Sequence, residues 1–348
     1  MKGIRINENT ELREIIKEYN EEDLRLLIAE LYKAMPKALR EDKEIDDLIR
    51  DARVRLHVPK AARTPKKSTD INELKPVIED FLQNAYAQNY FVPNRVIPKQ
   101  ERPKWRFHVR AYIKELQTVP MEGEDGKTAA ELLEKLYLML CYACCYYIFS
   151  TEDPFRSVGI DQSELLEIVL RAKFAYGIDH EVIKSAIMLV TNPGLDRQTL
   201  HHSLIAVLVF CLKTADSKEI AIQEAKKRKV ELAYEAAQQA GKKKNHNFSN
   251  DDYWRKEEAN ILVEIVFCLY IKLGDYDSAI EYFKKNIQES TKEIELYVLL
   301  EKLFIYDLND YFIREYEAGV KKGIKPREKL QKVYKYTVEN GELPQYFW

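Results

Sequence analysis

"YLMLCYACCYYIFS", residues 137–150, packs four tyrosines and three cysteines into fourteen positions without a charge. A metal site, a membrane span and the inside of a helical fold are competing readings of it. The uncharged run, Leu136 to Phe149, falls short of the roughly 18 residues that a spanning helix needs. The preceding "ELLEKL" is amphipathic, not apolar. Cys141, Cys144 and Cys145 share one helix face, yet a structural zinc site wants four tetrahedral ligands and no second CxxC exists. A helix apolar all round is a buried helix, where cysteine packs as a small hydrophobe. The stretch reads as a central core helix with slowly reacting thiols, and no metal or cofactor is expected.

Outward from it, apolar residues recur at i, i+3, i+4 and i+7 almost everywhere, as in "EDLRLLIAELYKAM" and "KEIDDLIRDARVRL". The 348-residue chain holds only 11 glycines, which disfavours hairpin turns and favours long helices. Helix starts are marked by an acceptor three residues before an acid: Thr128/Glu131, Asp161/Glu164, Asp216/Glu219 and Ser290/Glu293. Helices are expected near 128–150, 162–176, 180–191, 197–214, 217–240, 251–273, 276–289, 292–306, 309–321 and 326–339. No strand pair is found, so the fold class is all-α. Consecutive helices with short links form antiparallel hairpins, and stacked hairpins form an α-solenoid.

Domain organisation follows composition. Residues 1–58 read as a small N-terminal helical domain, and "PKAARTPKKSTD" (59–70) as a basic linker. A helical region with a proline-punctuated basic loop covers 71–127, and a helical-repeat domain covers 128–348. The formal net charge of −2 hides a local imbalance: residues 51–110 carry thirteen Lys/Arg against six Asp/Glu. Five cysteines, all within helical patterns, and no apolar leader in residues 1–30 point to reduced thiols in the cytoplasm, with no membrane association.

One segment carries a repeat signature. In "LYIKLGDYDSAIEYFKKNI" (269–287), Tyr270, Gly274, Tyr276, Ala279 and Phe283 stand at the spacing of a tetratricopeptide repeat, which this stretch resembles. Phe304 lies 34 residues beyond Tyr270 and Tyr311 lies 35 beyond Tyr276. The resemblance covers roughly residues 257–322. It implies a helical-hairpin fold and a protein or peptide partner, with the five residues in structural roles.

Chemistry-bearing motifs are few. His201 and His202 are adjacent, hence about 100° apart on a helix, and no HExxH, GxGxxG, GxxxxGK[ST] or GxSxG occurs. No catalytic residue is assigned. The strongest candidate for partner binding is "NRVIPKQERPKWRFHVRAYIK" (94–114), with Arg95, Lys99, Arg102, Lys104, Trp105, Arg106, Arg110 and Lys114. Cations there can neutralise phosphates while aromatics stack on bases. In the plainer alternative, preferred here, Trp105 faces the core and the cations are solvated or paired with protein acids. "KKRK" (226–229) reads as a solvated helix face with Ile222, Ala225, Val230 and Ala233 buried. The expected function is a non-enzymatic protein-interaction scaffold, with nucleic-acid association through 94–114, or an unrecognised enzyme site, as alternatives.

Overall fold

The computed structural model describes residues 16–17, 19–36, 40, 45–50, 70–191, 194–240 and 250–346. Among these there are helices and turns and no strand. The chain divides into two compact units, Met1–Lys67 and Ser68–Trp348. The expected linker falls outside the described residues except for its last residue, Asp70.

In the first unit, α1 (Glu21–Ala34) starts at Asn20, whose side chain accepts from the Asp23 N–H at 2.9 Å. Acids in its first turn complement the helix dipole. The Tyr32 hydroxyl donates to Asp46 of α2 (Ile45–Arg50) at 2.6 Å.

The second unit begins with α3 (Ile71–Tyr86), capped by Asp70 through the Asn72 N–H. Its residues Ile71, Leu74, Ile78, Phe81, Leu82 and Ala85 are buried, the stripe expected of an amphipathic helix. Together with α4 (Trp105–Leu116), α3 packs onto α5 (Gly123–Cys145). Thus the basic 94–114 segment belongs to the same unit as the opening stretch. Thr128 is not a cap: α5 starts five residues earlier, behind Glu122.

About half of the opening stretch is core: Tyr137, Met139, Leu140, Cys141 and Ala143 are buried on α5, whereas Tyr142 is exposed, so the helix is not buried on every side. The stretch does not stay helical to its end. Tyr146 is extended (φ −133°, ψ 138°), which returns Ile148 and Phe149 to the core and leaves Cys145, Tyr146 and Tyr147 exposed. The expectation that all three cysteines are buried holds for Cys141 alone: Cys144 is half-buried and Cys145 exposed. An uncharged run says nothing about where the backbone turns.

Next come α6 (Pro154–Val158), α7 (Gln162–Phe174), α8 (His180–Thr191), α9 (His201–Cys211), α10 (Ala215–Ala240) and α11 (Asn250–Leu273). The chain ends with α12 (Tyr276–Asn286), α13 (Lys292–Ile305), α14 (Asn309–Lys321) and α15 (Glu328–Asn340). α7 packs against α5 and α9, α8 against α10, α10 along α11, α11 along α12, and α13 along α14. Two starts lie beside the expected residues. The α10 start is Thr214, which exchanges hydrogen bonds with Ser217, and the α13 start is Thr291, which accepts from the Ile294 N–H.

The turns of the last hairpins repeat. Gly274 (φ 79°) ends α11, and the Asp275 N–H donates to the Tyr270 carbonyl at 3.0 Å. Asp307 (φ 55°), thirty-three residues on, ends α13, and the Leu308 N–H donates to the Leu303 carbonyl at 3.0 Å. Both close the same left-handed turn. In backbone terms Leu303, rather than Phe304, therefore takes the place of Tyr270.

Ala279 and Phe283 are fully buried, Phe283 edge-on to Phe267 with centroids 5.4 Å apart. Adding bulk where helices meet costs about 1–3 kcal/mol. Ala279→Leu is expected to lower the unfolding free energy by that amount, read as a lower denaturant midpoint with an unchanged slope. An unaltered midpoint would show that Ala279 does not set the spacing of this hairpin.

The 226–229 run is not a solvated face. Lys226 Nζ donates to the Tyr270 hydroxyl at 2.7 Å and lies 4.9 Å from the Tyr270 and Tyr282 ring centroids. Arg228 pairs with Glu258 and Glu235, and Lys229 reaches the Asn286 side chain at 3.1 Å. Val230, expected inside, is exposed. Long aliphatic stems let three of the four cations of this run lie between helices while their heads find polar partners.

Candidate functional site

A groove of about 940 Å³ lies among α9, α11 and α13 of the second unit. Its apolar wall comes from α9, "HHSLIAVLVFC", a helix apolar on every side. Such a helix cannot bury all its apolar side chains unless neighbours surround it. Leu204, Ile205 and Leu208 face the core, while Phe210 remains 53% exposed at the groove. Leu200, just before α9, and Ile305, at the end of α13, are 59% and 69% exposed on the same groove. Exposed apolar groups gathered in a concavity mark binding surfaces more often than scattered ones do.

The polar lining is unequal in charge. Lys213, Lys218, Lys272 and Lys302 face it, against Glu264 and Glu301. Lys302 and Glu264 neutralise each other at 2.5 Å across α13 and α11. Among the described residues, no carboxylate forms an ion pair with Lys213, Lys218 or Lys272. Lys213 Nζ sits 3.7 Å from the Phe210 ring centroid, so cation and aromatic face form one element.

Deeper in the groove, the Tyr306 hydroxyl hydrogen-bonds Cys268, and burial raises the pKa of both groups. A thiol pushed up by desolvation is a poor nucleophile at neutral pH. His201 also lines the groove. Burial lowers its pKa, against the pull of a hydrogen bond to the Val190 backbone, and its Nδ1 is buried without a partner. A neutral imidazole, a protonated thiol and a protonated phenol offer hydrogen bonds rather than covalent chemistry. Among the described residues no His/Cys/Asp/Glu group has a metal-binding arrangement, and no helix is long and apolar enough to cross a membrane.

The eight sequence candidates in 94–114 are placed differently. Trp105 is buried and stacked on Phe149, centroids 3.8 Å apart and planes 8° from parallel, so its ring is not available to a base. Arg102 donates to the carbonyls of Ile97 and Asn94 and organises the loop. Lys104 pairs with Glu101 at 2.8 Å. Arg110 donates to the Val158 carbonyl at 2.7 Å, binding α4 to the end of α6. Arg106 lies over the exposed Phe107 ring. Arg95, Lys99, Arg106 and Lys114 are exposed.

The five residues expected to define a repeat lie on the α11–α12 hairpin, and Tyr276 meets Tyr311 of α14 edge-on at 5.6 Å. Phe210, Ile305 and the groove lysines were not candidates from sequence. The available signal was the excess of apolar residues in α9 over what one buried stripe uses.

The cysteines give a direct check on burial. Desolvation pushes the Cys141 thiol up to about 12 and raises Cys144 and Cys145 as well. Thiolate, not thiol, reacts with disulfide reagents. Native protein is therefore expected to release about one equivalent of chromophore early, from Cys145, with faster labelling as pH rises. Mass spectrometry showing Cys141 labelled as early as Cys145 would contradict the packing of α5.

No protein-family model, no curated protein and no solved structure matches the chain.

Proposed function

We propose that the second unit is a tetratricopeptide-like array of stacked antiparallel hairpins that acts as a non-enzymatic scaffold. It receives a segment of a partner protein in the α9/α11/α13 groove. The observation that carries this reading is the pairing of exposed Phe210, Leu200 and Ile305 with three lysines free of carboxylate partners. That lining suits an acidic segment bearing apolar anchors, since charge complementarity speeds encounter and the buried apolar groups supply affinity.

The test is photocrosslinking in native extract, with a photoreactive phenylalanine analogue at position 210 of the full chain. A discrete adduct is expected that persists after nuclease treatment and fades when Lys213 and Lys272 become glutamate. The same label at Val230, which is exposed elsewhere, is expected to give none. An adduct lost on nuclease treatment would instead favour nucleic-acid association through Arg95, Lys99, Arg106 and Lys114. Adducts of equal yield at both positions would defeat the groove as the site.

A further inference from the structure

A second cavity lies apart from that groove, among α12, α13 and α14, and is closed on its fourth side by the turn Lys322–Lys325. Its volume, about 690 Å³, falls within the range of small-molecule sites. The floor is apolar: Phe283, Leu296 and Leu299 are buried, with Ile287 and Ile324 half-buried around them. Gly319 belongs to this floor because a side chain there has no room. An added Cβ would come within 2.5 Å of Leu296 Cδ2.

The charges at the mouth are partly cancelled. Glu315, 7% exposed at its side chain, is held by Lys284 at 2.5 Å and by Arg314 at 3.3 Å. Glu295 pairs with Lys292 at 2.7 Å. Glu293 receives a two-pronged contact from Arg327, both bonds 2.7 Å. Each lining carboxylate thus has a cationic partner, whereas Lys322 and Lys325 form no ion pair with a described carboxylate. The site combines an apolar floor with a net positive rim.

From this we infer that the α12–α14 cavity binds a small amphiphilic anion, an alkyl chain ending in a carboxylate, with the chain on the Phe283/Leu296/Leu299 floor and the head at Lys322 and Lys325. A cationic or zwitterionic head would meet acids already satisfied and two like charges. A neutral chain would leave the lysines idle. The head needs no buried partner, because it sits at the rim where both lysines are exposed.

The full chain is titrated calorimetrically with dodecanoate below its micelle concentration, beside dodecylammonium and dodecanol. Saturable one-to-one binding of dodecanoate is expected, weaker binding of dodecanol, and none of dodecylammonium. Lys322→Glu with Lys325→Glu is expected to weaken dodecanoate about tenfold or more, since two charge-assisted contacts are lost. Lys322 caps the C-terminal end of α14, where an acid opposes the helix dipole, so the melting temperature is measured alongside and binding is compared only while both proteins are folded. Ala318→Phe, which fills the cavity from α14, is expected to abolish binding of dodecanoate and dodecanol alike.

Equal binding of dodecanoate and dodecylammonium, or an unchanged affinity in the double glutamate variant, would overturn the assignment. So would the absence of saturation with wild-type protein. Tighter binding of a peptide ending in a free carboxylate than of dodecanoate, sensitive to the same variants, would assign the cavity to a chain terminus instead. None of these outcomes depends on Phe210 or Lys272, so they leave the groove reading untouched.

Discussion

Phe149→Ala is expected to cost about 3–5 kcal/mol of unfolding free energy, the range for deleting a buried aromatic ring. Phe149 is 1% exposed and lies where three helices converge. Its ring stacks on Trp105 of α4 at 3.8 Å, faces Phe81 of α3 at 6.5 Å, and meets Tyr90 at 5.9 Å. Truncation removes the transfer free energy and leaves a void bounded by rigid rings that collapse poorly. The midpoint of urea unfolding is to fall accordingly, and the near-ultraviolet signal of Trp105 is to change with it. Tyr147→Ala supplies the contrast. Tyr147 belongs to the same uncharged run and stacks on Phe91, but it is 57% exposed. Its loss should stay under about 1 kcal/mol. Similar costs at the two positions would mean that the chain does not turn at Tyr146.

The same pair shows what the amino-acid sequence can and cannot specify. Helices long enough for several periods of 3.6 residues were legible: the ranges 180–191 and 309–321 agree with α8 and α14 to the residue. Periodicity sums over many side chains, so single exceptions do not blur it. Starts were less legible. Thr128, Asp216 and Ser290 each offer an acceptor, but the chain starts its helices at Glu122, Thr214 and Thr291. A cap contributes about 1 kcal/mol, less than the packing that decides where a helix ends.

Faces were hardest to read where a helix is apolar or charged all round. In α9 nothing local distinguishes Leu208, buried, from Phe210, exposed. In α10, Lys226 turns inward because Tyr270 and Tyr282 offer a hydroxyl and ring faces, and Lys229 because Asn286 offers an oxygen, while Lys227 stays exposed. The groove was invisible for the same reason. Its lysines come from the α9–α10 turn, α10, α11 and α13, separated by up to 89 positions between Lys213 and Lys302, and only packing joins them.

Gln162 is the residue whose importance the sequence conceals most, and its replacement should be correspondingly costly. It follows Asp161, whose side chain makes no capping hydrogen bond to α7, and its own side chain is completely buried. Nε2 donates to the Gly194 carbonyl at 2.9 Å and to Cys141 Sγ at 3.3 Å, while Oε1 accepts from the Asp196 N–H at 2.9 Å. One amide thus fastens the segment after α8 to the last turns of α5. Gln162→Ala removes a bond to the buried Gly194 carbonyl and one from the part-buried Asp196 N–H, each costing up to about 1–3 kcal/mol, so a loss of about 2–6 kcal/mol is expected. Gln162→Glu separates this from simple loss of volume. Protonated, the acid keeps one donor and one acceptor. Ionised, it presents a second oxygen to the Gly194 carbonyl, in a site without a cation at hydrogen-bond distance. Its folded pKa must therefore lie above the unfolded value of about 4.3. For a raised acid the folded state binds more protons than the unfolded one, so stability falls as pH rises from about 4.3 towards the folded pKa. Relative to wild type at each pH, the Gln162→Glu deficit is to be small near pH 4 and to grow towards pH 7.5, whereas the Gln162→Ala deficit stays level. Parallel deficits for the two variants across that range, or a loss under about 1 kcal/mol for Gln162→Ala, would show that the amide is not what holds Gly194 and Asp196 to α5.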